Sequence, residues 1–168
     1  MSDQRKGTTM RTLLSVILLA ALSASAYAQE EGHLNVRTVV QKEQVTVNDV
    51  GEAKTELVAG DTFVPGEKVV YTITFRNISE EPAENVVITN PISGELMYID
   101  GSAFGPGSDI QFSVDGGQTF ANSNELTVTE GGVTRPAGAG DFTHIRWVMQ
   151  QDLAAGAQGV ARFSAILE

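Results

Sequence analysis

Residues 69–76 read Val69-Val70-Tyr71-Thr72-Ile73-Thr74-Phe75-Arg76. Val69, Tyr71, Ile73 and Phe75 share one face at a spacing of two, and Val70, Thr72, Thr74 and Arg76 share the other. A period of two with β-branched and aromatic residues is the pattern of a half-buried strand, and its apolar face must lie on a core. Asn77-Ile78-Ser79-Glu80-Glu81-Pro82 follows as a bend: Pro82 removes a backbone donor and the two glutamates keep the tip in water. Asn77-Ile78-Ser79 also matches the N-x-S glycosylation pattern, read here as a chance match.

The same alternation recurs on both sides. Upstream, Leu34–Val40 is an extended Val/Thr-rich segment that Gln44–Val47 continues, and Lys54–Ala59 is a further short strand. Downstream, strands are predicted over Asn85–Thr89, Leu96–Ile99, Ile110–Val114, Leu126–Thr129, His144–Met149 and Val160–Leu167. In the last two, Ile145, Trp147 and Met149, then Ala161, Phe163, Ala165 and Leu167, point inward. Turn signals fall between them: Pro65-Gly66, Asn90-Pro91, Asp100-Gly101, Asp115-Gly116-Gly117 and Gly131-Gly132. No segment of useful length has a period of 3.6, and no internal repeat is present. Short strands with this punctuation predict an all-β antiparallel sandwich of about seven to nine strands. Its expected core holds Val69, Tyr71, Ile73, Phe75, Val86, Ile88, Ile145, Trp147, Phe163 and Leu167.

The N-terminus has a different character. Arg5, Lys6 and Arg11 precede an apolar run from Leu13 to Leu22, and Ala26-Tyr27-Ala28 closes a small-residue region. That is the layout of a helical secretory signal peptide cleaved after Ala28, and the run is shorter than the ~20 residues of a membrane span. The expected organisation is a signal peptide (1–28), an N-terminal arm or first strands (29–59) and a sandwich (60–168). No membrane span is expected after cleavage, and the destination is periplasmic or extracellular.

The whole chain has 168 residues, 11 Lys and Arg against 21 Asp and Glu, and a net charge of −10. Cleavage removes three cations (Arg5, Lys6, Arg11) and one anion (Asp3), which moves the net charge to −12. Such a chain lacks the basic footprint that nucleic acid requires, so no nucleic-acid partner is expected. With no cysteine, disulfides, thiolate zinc sites and iron–sulfur clusters are excluded.

Chemistry-bearing motifs are few. Ser113-Val114-Asp115-Gly116-Gly117-Gln118-Thr119-Phe120 fits the Asp-box pattern S-x-D-x-G-x-T-[W/F]; as a single copy it predicts a tight turn, with Phe120 packed beneath. His144 and Arg146 are expected on the outer face of their strand. His33 is the second histidine, and with only two a Ser/His/Asp triad has little support. Asp100, Asp109, Asp115 and Asp141 make a weak calcium site the one metal hypothesis, although no D-x-D-x-D-G loop occurs. No catalytic, cofactor-binding or metal-ligating residue is assigned, and no cofactor is expected.

Four stretches carry a resemblance: VPGEKVVYTITFRN, EPAENVVITNPI, LMYIDGS and LAAGAQGVARFSAIL. Together they resemble the bacterial conserved-repeat family, domain of unknown function number eleven, over residues 62–168. The resemblance implies a secreted immunoglobulin-like sandwich, often a surface or stalk module, with no established catalysis. The family usually occurs as tandem repeats, whereas this chain holds one copy. The expected function is an exported, non-enzymatic structural or interaction module with a protein partner or self-association. Two alternatives stand beside it: a fibre subunit that polymerises by strand donation from the arm, and a carbohydrate-binding or carbohydrate-active protein using Trp147 or His144.

Overall fold

A computed structural model describes residues 34–47, 50–60 and 62–168. The signal peptide and His33 lie outside the described residues. The fold is an antiparallel β-sandwich built from ten strands: β1 (Leu34–Val47), β2 (Ala53–Ala59), β3 (Lys68–Asn77), β4 (Val87–Pro91), β5 (Leu96–Tyr98), β6 (Ser108–Ser113), β7 (Thr127–Glu130), β8 (Val133–Pro136), β9 (His144–Met149) and β10 (Gln158–Leu167). Five form one sheet in the order β2-β1-β3-β10-β5, and three form the other in the order β4-β9-β6. β7 and β8 make a separate hairpin across Gly131-Gly132, whose positive φ values of 57° and 82° suit a two-residue turn. Eight strands in the two sheets match the sequence expectation.

The sheets face each other through the inward residues of the expected strands. Ile73 and Phe75 of β3 with Ala161, Phe163 and Ala165 of β10 meet Ile88 of β4, Phe112 of β6 and Ile145 and Trp147 of β9 in one cluster. The rings of Trp147 and Phe163 bridge the two sheets with centroids 6.3 Å apart, and those of Tyr98 and Phe112 with centroids 5.1 Å apart. β10 crosses so close to β3 that Gly159 stands directly against the buried Phe75 ring, where any Cβ would collide. Tyr71 and Leu167 are only half-buried, and Val69 is buried beside the main cluster; Tyr71 stacks on Phe163 at 4.8 Å.

Several boundaries differ from expectation for identifiable reasons. Leu34–Val40 and Gln44–Val47 are one continuous strand, because Gln41–Glu43, although polar, stay in ladders with β2 and β3. Asn90-Pro91 does not turn the chain but ends β4, an edge strand on which the missing proline N–H costs no ladder bond. β8 has no apolar face, all four of its residues being exposed, so period-two reading had nothing to detect.

Candidate functional site

The Asp-box loop follows β6 and folds as a tight turn, tied to the segment before β9 by the Gly116 N–H, which donates to Thr143 Oγ1 (3.1 Å). Asp115 accepts hydrogen bonds from the hydroxyl of Ser113 (2.7 Å), from the backbone N–H of Gln118 (2.9 Å) and from both the N–H and the hydroxyl of Thr119. Thr119 above all, with Ser113 and Gln118, holds the Asp115 carboxyl well below the ordinary carboxylate range. Its acceptor capacity is committed to the turn. Phe120 lies under the guanidinium of Arg146, 3.5 Å from ring centroid to Cζ, and edge-on to His144 at 6.5 Å. His144 and Arg146 therefore occupy the outer face, as alternation requires. Arg146 also donates from Nε to Thr89 at 3.4 Å. Stacking, turn geometry and cross-strand pairing account for every one of these contacts.

The remaining aspartates do not converge. Asp109 accepts from Gln150 Nε2 at 2.9 Å, Asp100 sits exposed at the turn after β5, and Asp141 is clamped by both guanidinium nitrogens of Arg135 at 2.7 and 2.9 Å. Arg135, together with the N–H of Gly138, lowers the Asp141 pKa to about 2. Among the described residues no three His, Asp or Glu side chains stand together as metal ligands. Trp147 is fully buried, so its indole forms core and presents no sugar-stacking surface; its Nε1 donates to no acceptor among the described residues.

Asn77, the first residue of the N-x-S match, is fully buried at the end of β3. Its Nδ2 donates to the carbonyls of Glu81 (2.7 Å) and Leu153 (2.8 Å), and its Oδ1 accepts from the N–H and hydroxyl of Ser79. Both ends of the amide are consumed in bending residues 77–82 over the top of the sandwich. A sugar-transferring enzyme has no access to that nitrogen in the folded chain.

The feature that leaves the body is the β1–β2 hairpin. β3 pairs with β1 only from Leu34 to Lys42, whereas β2 pairs with Gln41 to Val47. Residues 43–47 and 53–57 thus form a two-stranded ribbon that overhangs β3 by about 17 Å at 3.4 Å per residue. Val45 and Val47 on it are 63% and 66% exposed. On the other half of β1 the outer edge is open. The N–H of Gly60 closes the β2 pairing on the carbonyl of Val40 (3.2 Å), and no strand lies beyond residues 34–39 among the described residues. The expected N-terminal arm is thus divided: Leu34–Lys42 belongs to its own domain's sheet, and the ribbon beyond it is tied to β3 at its base by the Glu43–Lys68 ion pair (2.6 Å) and continues past the strand. Strand length is the signal that the sequence reading missed, since the fourteen residues of β1 outrun the ten of β3.

No protein-family model, no curated protein and no solved structure matches this chain.

Proposed function

We propose that this chain is an exported, non-enzymatic structural and interaction module of the cell envelope or surface, working through its sheet edges. The observation that carries the reading is the β1–β2 ribbon, which projects past β3 with exposed valines beside an open strand edge. Isolated two-stranded ribbons are marginal in water, and open edges invite strand addition, so such an element is suited to meeting another surface. Export rests on the basic, apolar and small-residue order of residues 5–28.

The placement of the four quoted motifs supports reading the chain as a single conserved-repeat module. VPGEKVVYTITFRN supplies a Pro-Gly turn and β3, EPAENVVITNPI the approach to β4 and β4 itself, LMYIDGS β5 and its turn, and LAAGAQGVARFSAIL the turn into β10. The test is fractionation of cells expressing the full chain, with mass spectrometry of the protein recovered. The expected species begins at Gln29 and is found in the periplasmic, surface or culture fraction. An unprocessed chain in the cytoplasm overturns the reading.

A further inference from the structure

We propose that a second copy of this chain adds its β1 to the open edge of β1, antiparallel and about a twofold axis at Val36, so that two five-stranded sheets become one. This rests on the reading of the chain as a module that works through its sheet edges, and it names the partner as a second copy.

The edge is defined by the backbone groups that point out of the sheet. The N–H of Gly60 donates to the carbonyl of Val40 (3.2 Å), so Val40 turns its main-chain groups toward β2. Alternation turns those of Leu34, Val36 and Thr38 the same way, while Asn35, Arg37 and Val39 bond to β3. β2 ends at Ala59, so Leu34, Val36 and Thr38 have no strand beyond them among the described residues. The other edges of the two sheets are guarded. β2 carries the Lys54–Glu56 ion pair, β4 ends in Pro91, β5 is three residues long, and Phe112 of β6 is bonded to Ala121.

The occupant follows from symmetry. Positions 34, 36 and 38 are palindromic about Val36: a second β1 laid antiparallel with Val36 on Val36 also sets Leu34 on Thr38 and Thr38 on Leu34, each pair exchanging both of its bonds. Gly60 closes the slot at Val40, and pairing centred on Val36 fills it with β2 left in place. Side chains agree with this register. Leu34, Val36 and Thr38 pair with Asn77, Phe75 and Ile73 of β3 and so share the inward face. The three-stranded sheet leaves that margin uncovered: Val36 is 51% exposed, and Leu34 lines a cleft of about 520 Å³ with Val86 and Val87. The twofold sets Val36 there against Val36 of the second copy. On the outer face Arg37 falls opposite Asn35 of the second copy, so no like charges are directly opposed. The contact is isologous and closes at two copies.

The test reads light-scattering mass of the purified chain across a concentration series from micromolar to millimolar, with cross-linking at the axis. Wild type is expected to rise from the single-chain mass to twice that mass and to stop there. Val36→Lys sets two cations on the axis and is expected at the single-chain mass throughout. The chain has no cysteine, so Val36→Cys supplies a lone thiol at the axis, where the paired Cα atoms stand about 5.5 Å apart, within disulfide reach. A mild oxidant is expected to cross-link it to a covalent dimer and to leave Val45→Cys, on the ribbon, uncross-linked. Val36 and Val45 are both exposed, and circular dichroism and Tm confirm that each variant is folded. A wild type at the single-chain mass throughout overturns the proposal, as does a folded Val36→Lys that dimerises like wild type. A mass that climbs past two copies overturns it in favour of an open filament. A dimer in which Val36→Cys cross-links no more than Val45→Cys overturns it in favour of another face. Any of these leaves the export reading intact, since that fails only if the chain is unprocessed and cytoplasmic.

Discussion

Asp141 and Asp115 tie two loops to acid chemistry. Each has a folded-state pKa below its ordinary value of 3.8, so each contributes stability that is fully present above about pH 4 and lost as pH falls through the folded value. For Asp141 that window runs down to about pH 2. Asp141→Asn is therefore expected to lower Tm at pH 6 and to match wild type at pH 2, measured by thermal melts across that range. Gly159→Ala places a methyl against the buried Phe75 ring, and overpacking of this kind costs about 1–3 kcal/mol. A denaturant midpoint equal to wild type would show that the ring can yield. Asn77→Ala removes the donor to the carbonyls of Glu81 and Leu153, which keep Ser79 Oγ and the Ala83 N–H, and removes the acceptor of Ser79; lost hydrogen bonds of this kind cost about 0.5–1.5 kcal/mol each. A midpoint within error of wild type would remove Asn77 as the clasp of the bend. These residues were legible only in part. The Asp box announced its turn, because Asp and Gly at fixed offsets are local chemistry. The clasp of Asn77 onto Leu153 joins residues 76 positions apart and has no local signature.

At the level of elements, strands with one apolar face were readable and strands with none were not. β3, β9 and β10 follow their period-two patterns almost to the residue because each lays alternate side chains on the core. β8 is held by main-chain pairing with β7, the Thr129–Thr134 contact and the Arg135 ion pairs, none of which leaves a hydrophobic rhythm. The ribbon is a related case. Its alternating valines read as a strand, but only the length of its neighbour reveals that part of it leaves the body. Amide hydrogen exchange should separate the two halves of β1: residues 43–47 are expected to exchange at least a hundredfold faster than the core amides of β3 and β10. Equal protection along the whole strand would mean that the ribbon is covered in solution.

For the whole molecule, the packed sheets must supply the stability without help from disulfides, since the chain has no cysteine. A net charge of −10 opposes compaction by self-repulsion, so moderate salt is expected to raise Tm between 10 and 150 mM as screening sets in. An unchanged or falling Tm would mean that local pairs such as Arg135–Asp141 outweigh the global field. That Arg37, Arg76 and Arg162 share the outer side of the five-stranded sheet lay beyond sequence reading for a geometric reason. Arg37, Arg76 and Arg162 are 39 and 86 residues apart in the chain and become neighbours only through the register of three strands.

β1 is continuous from the body into the ribbon, and this has a mechanical consequence. A pull on the ribbon tip along the strand is carried into the nine paired positions between Leu34 and Lys42, whose hydrogen bonds lie across the direction of the force. Bonds arranged that way share the load and must give way together, whereas a hairpin peeled from its end opens one rung at a time. Tension applied through the ribbon would therefore meet the sheet in shear, its most resistant direction, with β10 anchoring β3 on the far side.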